Sequence, residues 1–180
     1  QPQPQQVPNR VAVAQMTSSS DRLANYATIK RLARQARDAG ASILFLPECC
    51  CFMGDTAAAS VAAASPLDEE EEQGNVIDYY RALAREFGLW LSLGGIQERS
   101  SDELTEGKMF NTHVLLKDDG STAARYRKVH LFELAPEGLH ESRTTVAGKE
   151  MVVVPDAPCG EKRKEEIIRE RETKAERKKI

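Results

Sequence analysis

Short, continuous apolar runs alternate with segments of helical periodicity along the first half of the chain. The runs at 11–15, 42–46 and 89–93 have the length and continuity of strands that are buried on both faces. Between them, apolar positions recur at helical spacing, which predicts one helix from about residue 21 to 39 and another over 76–87. This alternation favours an α/β layered fold.

Both predicted helices have an apolar face, and the first has clear end signals. Ser20 and Asp21 are good N-caps, and Gly40 stands where helices commonly end. The expected apolar faces are Leu23, Ile29, Leu32 and Ala36 in the first helix, and Ile77, Tyr80, Leu83 and Ala84 in the second.

The remaining pattern predicts loops, a hairpin and a last strand. Residues 49–75 are polar and rich in Ala and Ser, and we expect one long loop there. Gly94-Gly95 is expected to end the third strand. Lys117-Asp118-Asp119-Gly120 separates two strand-like runs at 110–116 and 121–126, and Asp-Gly is a strong hairpin signal. Val152-Val153-Val154 predicts a further strand at an edge.

Composition and charge restrict the class of protein. With 180 residues, 41% hydrophobic and 29% charged, the chain suits one globular domain. No apolar run approaches the ~20 residues that span a bilayer, so a membrane partner is not expected. The net charge is −3, and an acidic body argues against nucleic acid as the main partner.

The ends of the chain differ in composition from the body. We expect a flexible N-terminus over 1–8, one domain over 9–160, and a charged tail over 161–180 that is helical or disordered. The tail holds nine Lys or Arg and six Asp or Glu residues and has no continuous apolar face. A solvated tail is the plain interpretation, and a basic docking arm is the alternative.

The cysteines indicate a reducing compartment. Three are consecutive, Cys49 to Cys51, and the fourth is Cys159, so no C-x-x-C spacing suggests zinc. Adjacent cysteines are poorly placed to bridge each other. Residues 1–6 lack the apolar core of a secretion signal. We expect a cytoplasmic location, with a mitochondrial one as the alternative.

Two ionisable residues directly follow predicted strands. Glu48 comes after the second strand, at the sheet edge where α/β folds bind ligands, and a desolvated carboxylate there can act as a base. Lys128 follows the hairpin, and an ammonium can stabilise an oxyanion. Taken singly, Glu48 could be a loop carboxylate or a helix cap, and Lys128 an exposed lysine. His130 is expected to be a packed or hydrogen-bonded histidine and not a catalyst, and Glu141 is a second candidate carboxylate.

Taken together, several runs resemble the carbon–nitrogen hydrolase (nitrilase) superfamily, and in particular its Nit branch of amidases, which includes deaminated glutathione amidase. The likeness covers roughly residues 9–160, and the motifs occur in order at compatible spacing. They are Val11-Ala12-Val13-Ala14-Gln15-Met16, Phe45-Leu46-Pro47-Glu48, Gly88-Leu89-Trp90-Leu91-Ser92-Leu93-Gly94-Gly95, Phe110-Asn111-Thr112 and Tyr126-Arg127-Lys128-Val129-His130-Leu131-Phe132.

The resemblance implies an α-β-β-α sandwich and a Glu-Lys-Cys triad that hydrolyses a linear amide through a thioester. It makes Glu48 the general base, Lys128 the oxyanion stabiliser and Glu141 an accessory carboxylate. The implied substrates are small carboxylate-bearing amides, either ω-amides or compounds like deaminated glutathione. The family needs no metal or organic cofactor, and its members are usually oligomeric.

The sequence departs from the family at the nucleophile. The family's cysteine lies in a Cys-Tyr-Asp or Cys-Trp-Asp elbow, and neither tripeptide occurs here. Cys159 lies in Ala157-Pro158-Cys159-Gly160, which resembles the turn upstream of that elbow. We therefore expect a truncated sandwich without the nucleophile cysteine. The alternative to an amidase is a non-catalytic isoform or gene-model product that binds substrate or pairs with a full-length subunit.

Overall fold

A computed structural model describes residues 10–67, 75–100, 105, 107–134 and 138–159. The predicted tails at 1–8 and 161–180 lie outside these residues. The described elements are, in chain order, β1 (Arg10–Val13), α1 (Arg22–Asp38), β2 (Ala41–Phe45), α2 (Ala57–Ala62), α3 (Val76–Phe87), β3 (Trp90–Arg99), β4 (Met109–Leu116), β5 (Thr122–Arg127) and a 3₁₀ turn at Glu141–Arg143.

The five described strands form one sheet in sequence order, from β1 to β5. The first three are parallel, whereas β4 pairs antiparallel with both of its neighbours, β3 and β5. Helices connect the parallel strands, as parallel pairing requires. The predicted α/β class is therefore confirmed. Because β5 again runs in the direction of β2, the carboxyl ends of both strands lie at the same edge of the sheet.

One face of the sheet carries the core. Helix α1 packs against β2 and α3. Strand residues that point to the helices are almost wholly buried, and their burial is the main stabilising term of the fold. This core includes Ile29, Ala33, Leu44, Ile77, Tyr80, Leu83, Ala84, Leu91, Leu93, Val114 and Leu116. Val13, on the opposite face of edge strand β1, is 82% exposed, so the prediction that this strand is buried on both faces is wrong.

The apolar face predicted for α3 is confirmed, whereas that of α1 is partly wrong. Leu23 is 76% exposed, and the buried positions of α1 are Asn25, Ile29, Ala33 and Ala36. Asn25 replaces an apolar residue because its amide is satisfied: it accepts from the Ser19 N–H at 3.0 Å and donates to the carbonyl of Cys51 at 3.2 Å. Asp21 caps the helix as predicted.

Three further predictions need correction. The region 49–75, predicted as one long loop, contains α2, whose N-cap Thr56 accepts a hydrogen bond from the Ala59 N–H. None of the residues of α2 is buried, so the sequence shows no apolar face that would predict this helix. Strand β3 continues past Gly94-Gly95 to Arg99 through an irregularity in its pairing with β4. Residues 152–154 form no strand within the described part of the chain, because no described strand pairs with them.

Among the described residues, no helix has the length and apolar character needed to cross a membrane.

Candidate active site

The ends of β2 and β5 bring Glu48 and Lys128 together. Glu48 follows β2 after Leu46-Pro47, and Lys128 is the first residue after β5. The Lys128 ammonium lies 3.3 Å from Glu48 Oε1 and 2.9 Å from Glu141 Oε2. All three residues singled out from the sequence therefore share one site, although their catalytic roles stay predictions.

The three side chains differ in their contact with solvent. The exposed fraction is 55% for the side chain of Glu48, 29% for Lys128 and 16% for Glu141. The desolvation expected for Glu48 is therefore not reached in the described part of the structure. Glu141, by contrast, is less exposed and accepts hydrogen bonds from Asn111, Lys128 and the Phe132 N–H.

The pKa values of Lys128 and Glu141 move apart. Partial burial lowers the pKa of Lys128, but the hydrogen bond to Glu141 and the charge of Glu48 outweigh it and raise the pKa above the usual value. Burial raises the pKa of Glu141, but the Phe132 N–H and the contacts with Lys128 and Asn111 outweigh it and lower that pKa. Both groups are therefore charged at neutral pH.

Asn111 of β4 is a site residue for which no role was predicted. Its amide donates to Glu141 Oε1 at 3.1 Å and also to Glu48 Oε1. The available signal was its place within a family-like motif, but an asparagine in a strand has no distinctive pattern of its own. Asn111 links the two carboxylates and fixes the face that each presents to Lys128.

Gly94 and Gly95 allow the β2 loop to cross close to β3. A Cβ on Gly94 would lie 2.7 Å from the Leu46 carbonyl oxygen. Gly95 has φ +40°, and a Cβ there would lie 2.9 Å from Glu48 Cγ and collide with the Asn111 side chain. The Cys49 N–H then donates to the Gly95 carbonyl at 3.1 Å. The glycine pair therefore positions Glu48, instead of ending the strand.

The segment that carries Glu141 is held by a second carboxylate. Glu133 accepts from the Ser142 N–H at 2.9 Å and lies 2.6 Å from His140 Nδ1. The Ser142 contacts and the hydrogen bond to His140 lower the pKa of Glu133 to about 2. The Phe132 N–H donates to Glu141 Oε2 at 2.8 Å. Hydrogen bonds therefore hold the loop on both sides of the 3₁₀ turn.

An ion pair with a buried carboxylate and a half-exposed arginine anchors the strand end before Lys128. Arg127 donates to Glu98 of β3 through two nitrogens, at 2.6 and 3.0 Å, and stacks 3.9 Å from the Phe110 ring centroid. Thr112 of β4 also donates to Glu98. Because these contacts tie β5 to β3 across β4, they fix the direction in which the chain leaves the sheet at Lys128.

A cavity of about 560 Å³ opens beside the three charged residues. Its volume suits a small organic ligand. Part of its wall is apolar, from Ile96, Met109, Phe132 and Leu139, and its polar lining includes Gln97, His140 and Arg143. His130 does not line it and is exposed.

The four cysteines do not place an activated thiol at the site. Cys49 lines the cavity, but burial and the charges of Glu48 and Glu141 raise its pKa to about 11. Cys50 and Cys51 are buried in the core. Cys159 is exposed and lies outside the cavity lining. No group of three or more potential metal-binding side chains occurs within the described ranges.

Known proteins are similar to this chain in sequence over most of its length. Deaminated glutathione amidase from Bos taurus is 38% identical over 153 residues, which are 83% of this chain and 45% of that protein. NitFhit, the nitrilase and fragile histidine triad fusion protein of Drosophila melanogaster, is 38% identical over 140 residues, which are 77% of this chain and 28% of that protein. The chain therefore spans about half or less of the length of these relatives.

Solved structures show the same fold. The C. elegans NitFhit structure matches with a TM-score of 0.69 and 37% identity, over 83% of this chain and 35% of that one. Saccharomyces cerevisiae Nit3, of the nitrilase superfamily, matches with a TM-score of 0.66 and 26% identity, over 80% of this chain and 50% of that one. The family profile described as Carbon-nitrogen hydrolase matches residues 10–173. With the shared fold and these sequence matches, the chain belongs to the carbon–nitrogen hydrolase family.

Proposed function

We propose that the cavity beside Glu48, Lys128 and Glu141 binds a small linear amide for hydrolysis of its C–N bond. The observation that carries this proposal is the Lys128 ammonium, held between two carboxylates at 3.3 and 2.9 Å on the wall of a ligand-sized cavity. An ammonium fixed in this way is oriented before the substrate arrives, which is the condition for effective oxyanion stabilisation.

Each residue has a distinct role in the proposed reaction. Glu48, the more exposed carboxylate, takes the proton from an attacking thiol as the sulfur–carbon bond forms. Lys128 stabilises the oxyanion of the tetrahedral intermediate. When the C–N bond breaks, the leaving amine takes the proton from Glu48, and water then hydrolyses the thioester. Glu141 keeps Lys128 charged and oriented, and Asn111 keeps the carboxylates in place.

The thiol is the component that the described residues do not supply in reactive form. At pH 8, a thiol with a pKa of about 11 is ionised only to roughly one part in a thousand. This observation favours a second candidate function, in which the 180-residue chain binds amides without turning them over. A complete subunit of the same family, paired with this chain, is the corresponding partner.

The names of the relatives support a proposal for the substrate class. Proteins named deaminated glutathione amidase are 38% identical to this chain over 83% of its length. We propose that this site also accepts small amides that carry a carboxylate, whether ω-amides or larger compounds of the deaminated glutathione type. We also propose that the chain forms homo-oligomers and that it is located in the cytoplasm or in mitochondria.

Binding and turnover should be measured separately. Calorimetry with succinamate, which has one amide and one carboxylate, tests binding, and ammonia release tests hydrolysis. Lys128→Met should weaken binding and abolish any hydrolysis, because the ammonium that faces the amide is lost, whereas Lys30→Met is a matched control because Lys30 pairs with Glu86 on the helices. Equal binding by the Lys128→Met variant would refute the proposed site. Ammonia release that disappears in Cys49→Ser would refute the non-hydrolytic alternative and make Cys49 the nucleophile.

A further inference from the structure

Arg143 is a cation of the cavity wall that has no carboxylate partner among the described residues. It lines the same cavity as Lys128, and its side chain is exposed. Lys128 is paired with both Glu48 and Glu141, whereas the described part of the chain gives Arg143 no ion pair. The charge of Arg143 is therefore available to a ligand.

The backbone that carries Arg143 is fixed. Its N–H donates to the His140 carbonyl at 3.2 Å within the 3₁₀ turn. On one side, Glu133 holds His140 and Ser142, and on the other the Met109 N–H of β4 donates to the Thr144 carbonyl at 2.9 Å. An arginine on an anchored turn loses less freedom on binding than one on a mobile loop, so it is a better recognition residue.

The charges of the cavity favour one orientation of a ligand with a carboxylate and an amide. Glu48 and Glu141 repel a carboxylate from the neighbourhood of Lys128, and Lys128 is already neutralised by them. Arg143 attracts a carboxylate and presents a planar fork that matches its two oxygens. The apolar side chains of Met109, Phe132 and Leu139 in the wall suit the methylene groups of such a ligand.

We propose that Arg143 is a specificity-determining residue that binds the carboxylate of the substrate and so directs the amide towards Lys128 and Glu48. This inference rests on the proposed function, because it assigns one end of the same cavity. It predicts that the site distinguishes amides by charge. The sequence did not point to Arg143, since a single arginine after a candidate carboxylate has no distinctive pattern.

The test compares two ligands that differ only in that group. Succinamate carries a carboxylate and an amide, and succinamide carries two amides and no charge. In the full 180-residue chain, Arg143→Gln should weaken succinamate binding by about tenfold, because a charge-assisted hydrogen bond is lost, and should leave succinamide binding unchanged. Arg143→Lys should retain part of the preference. Arg31→Gln is the control, because Arg31 is exposed on α1 and does not line the cavity.

The outcomes separate this inference from the proposed function. Unchanged succinamate binding in Arg143→Gln, or equal losses for both ligands, would overturn the role of Arg143 while amide binding that depends on Lys128 still stands. Succinamide binding that is insensitive to Lys128→Met would overturn the amide site, whereas a charge-selective loss in Arg143→Gln would still locate the carboxylate. A wild-type chain that binds neither ligand would overturn both proposals.

Discussion

Replacement of Glu98 by Gln tests whether the ion pair between Glu98 and Arg127 holds the end of β5. The residue is 4% exposed and accepts two hydrogen bonds from Arg127, at 2.6 and 3.0 Å, as well as one from Thr112. Glutamine keeps the volume and one acceptor oxygen but removes the charge, so the perturbation is electrostatic and leaves no large cavity.

The expected loss follows from these contacts. Hydrogen bonds to a charged group contribute roughly 1.5–3 kcal/mol. Because the Arg127 side chain is 48% exposed, solvent screens its half of the pair, and we expect about 2 kcal/mol in total. For a domain of this size that corresponds to a decrease in Tm of roughly 4–8 °C.

Thermal and urea unfolding of Glu98→Gln should be compared with Glu86→Gln. Glu86 pairs with Lys30 at 2.7 Å, but both side chains are well exposed, at 43% and 38%, so its loss should cost less than about 0.5 kcal/mol. A double-mutant cycle with Arg127→Gln isolates the pair. Equal stability of the Glu98 and Glu86 variants, or a coupling energy near zero, would refute the reasoning.

Three further predictions follow from the described contacts. Folding lowers the pKa of Glu141, so this residue stabilises the fold above its unfolded pKa of 4.5, and the stabilisation is lost as the pH falls through the folded pKa. Glu141→Gln should therefore flatten the fall in Tm below about pH 4.5, and an unchanged dependence of Tm on pH would contradict this. Because the pKa of Cys49 is about 11, iodoacetamide should alkylate Cys49 far more slowly at pH 8 than the exposed Cys159. Peptide mass spectrometry would measure both rates, and comparable rates would indicate a thiolate in the cavity. Asn25→Ala should lower the free energy of unfolding in urea by about 1–3 kcal/mol, because its buried partners lose their hydrogen bonds. Leu23→Ala, at an exposed position, should change it by less than about 0.5 kcal/mol. The reverse order would mean that the first turn of α1 is packed differently.

The sequence was most informative where hydrophobic burial alone decides the structure. Strand β2, helix α3 and the β4–β5 hairpin lie close to their predicted positions, because each has an apolar run, an apolar face or a recognisable turn. Helix α2 was not predicted from the sequence, because none of its residues is buried. Leu23 was misplaced because Asn25, a polar residue, takes the buried position through specific hydrogen bonds that no periodicity reveals.

The site could be predicted only in part for a similar reason. Glu48 and Lys128 follow strands, so sheet topology brings them to one edge. The partners that orient them do not stand out in sequence: Asn111 lies within a strand, and Glu133 acts through the backbone N–H of Ser142. The glycine pair was read as a strand end, because a bulge and a strand end have the same composition. Only the distances to Glu48 and Leu46 distinguish them.

The mixed pairing of the sheet has a consequence for how the chain folds. Strand β4 pairs antiparallel with β3 and β5, its neighbours in sequence, so few residues separate the paired strands, whereas β2 must pair with β3 across α2 and α3. Closing the longer loop costs more conformational entropy, so the pairing of β2 with β3 forms more slowly. Lys128 and Asn111 therefore come together in an early local unit, and Glu48 reaches them only when the parallel pairs form. Ligand binding should appear as a late event in refolding, after most of the hairpin structure has formed.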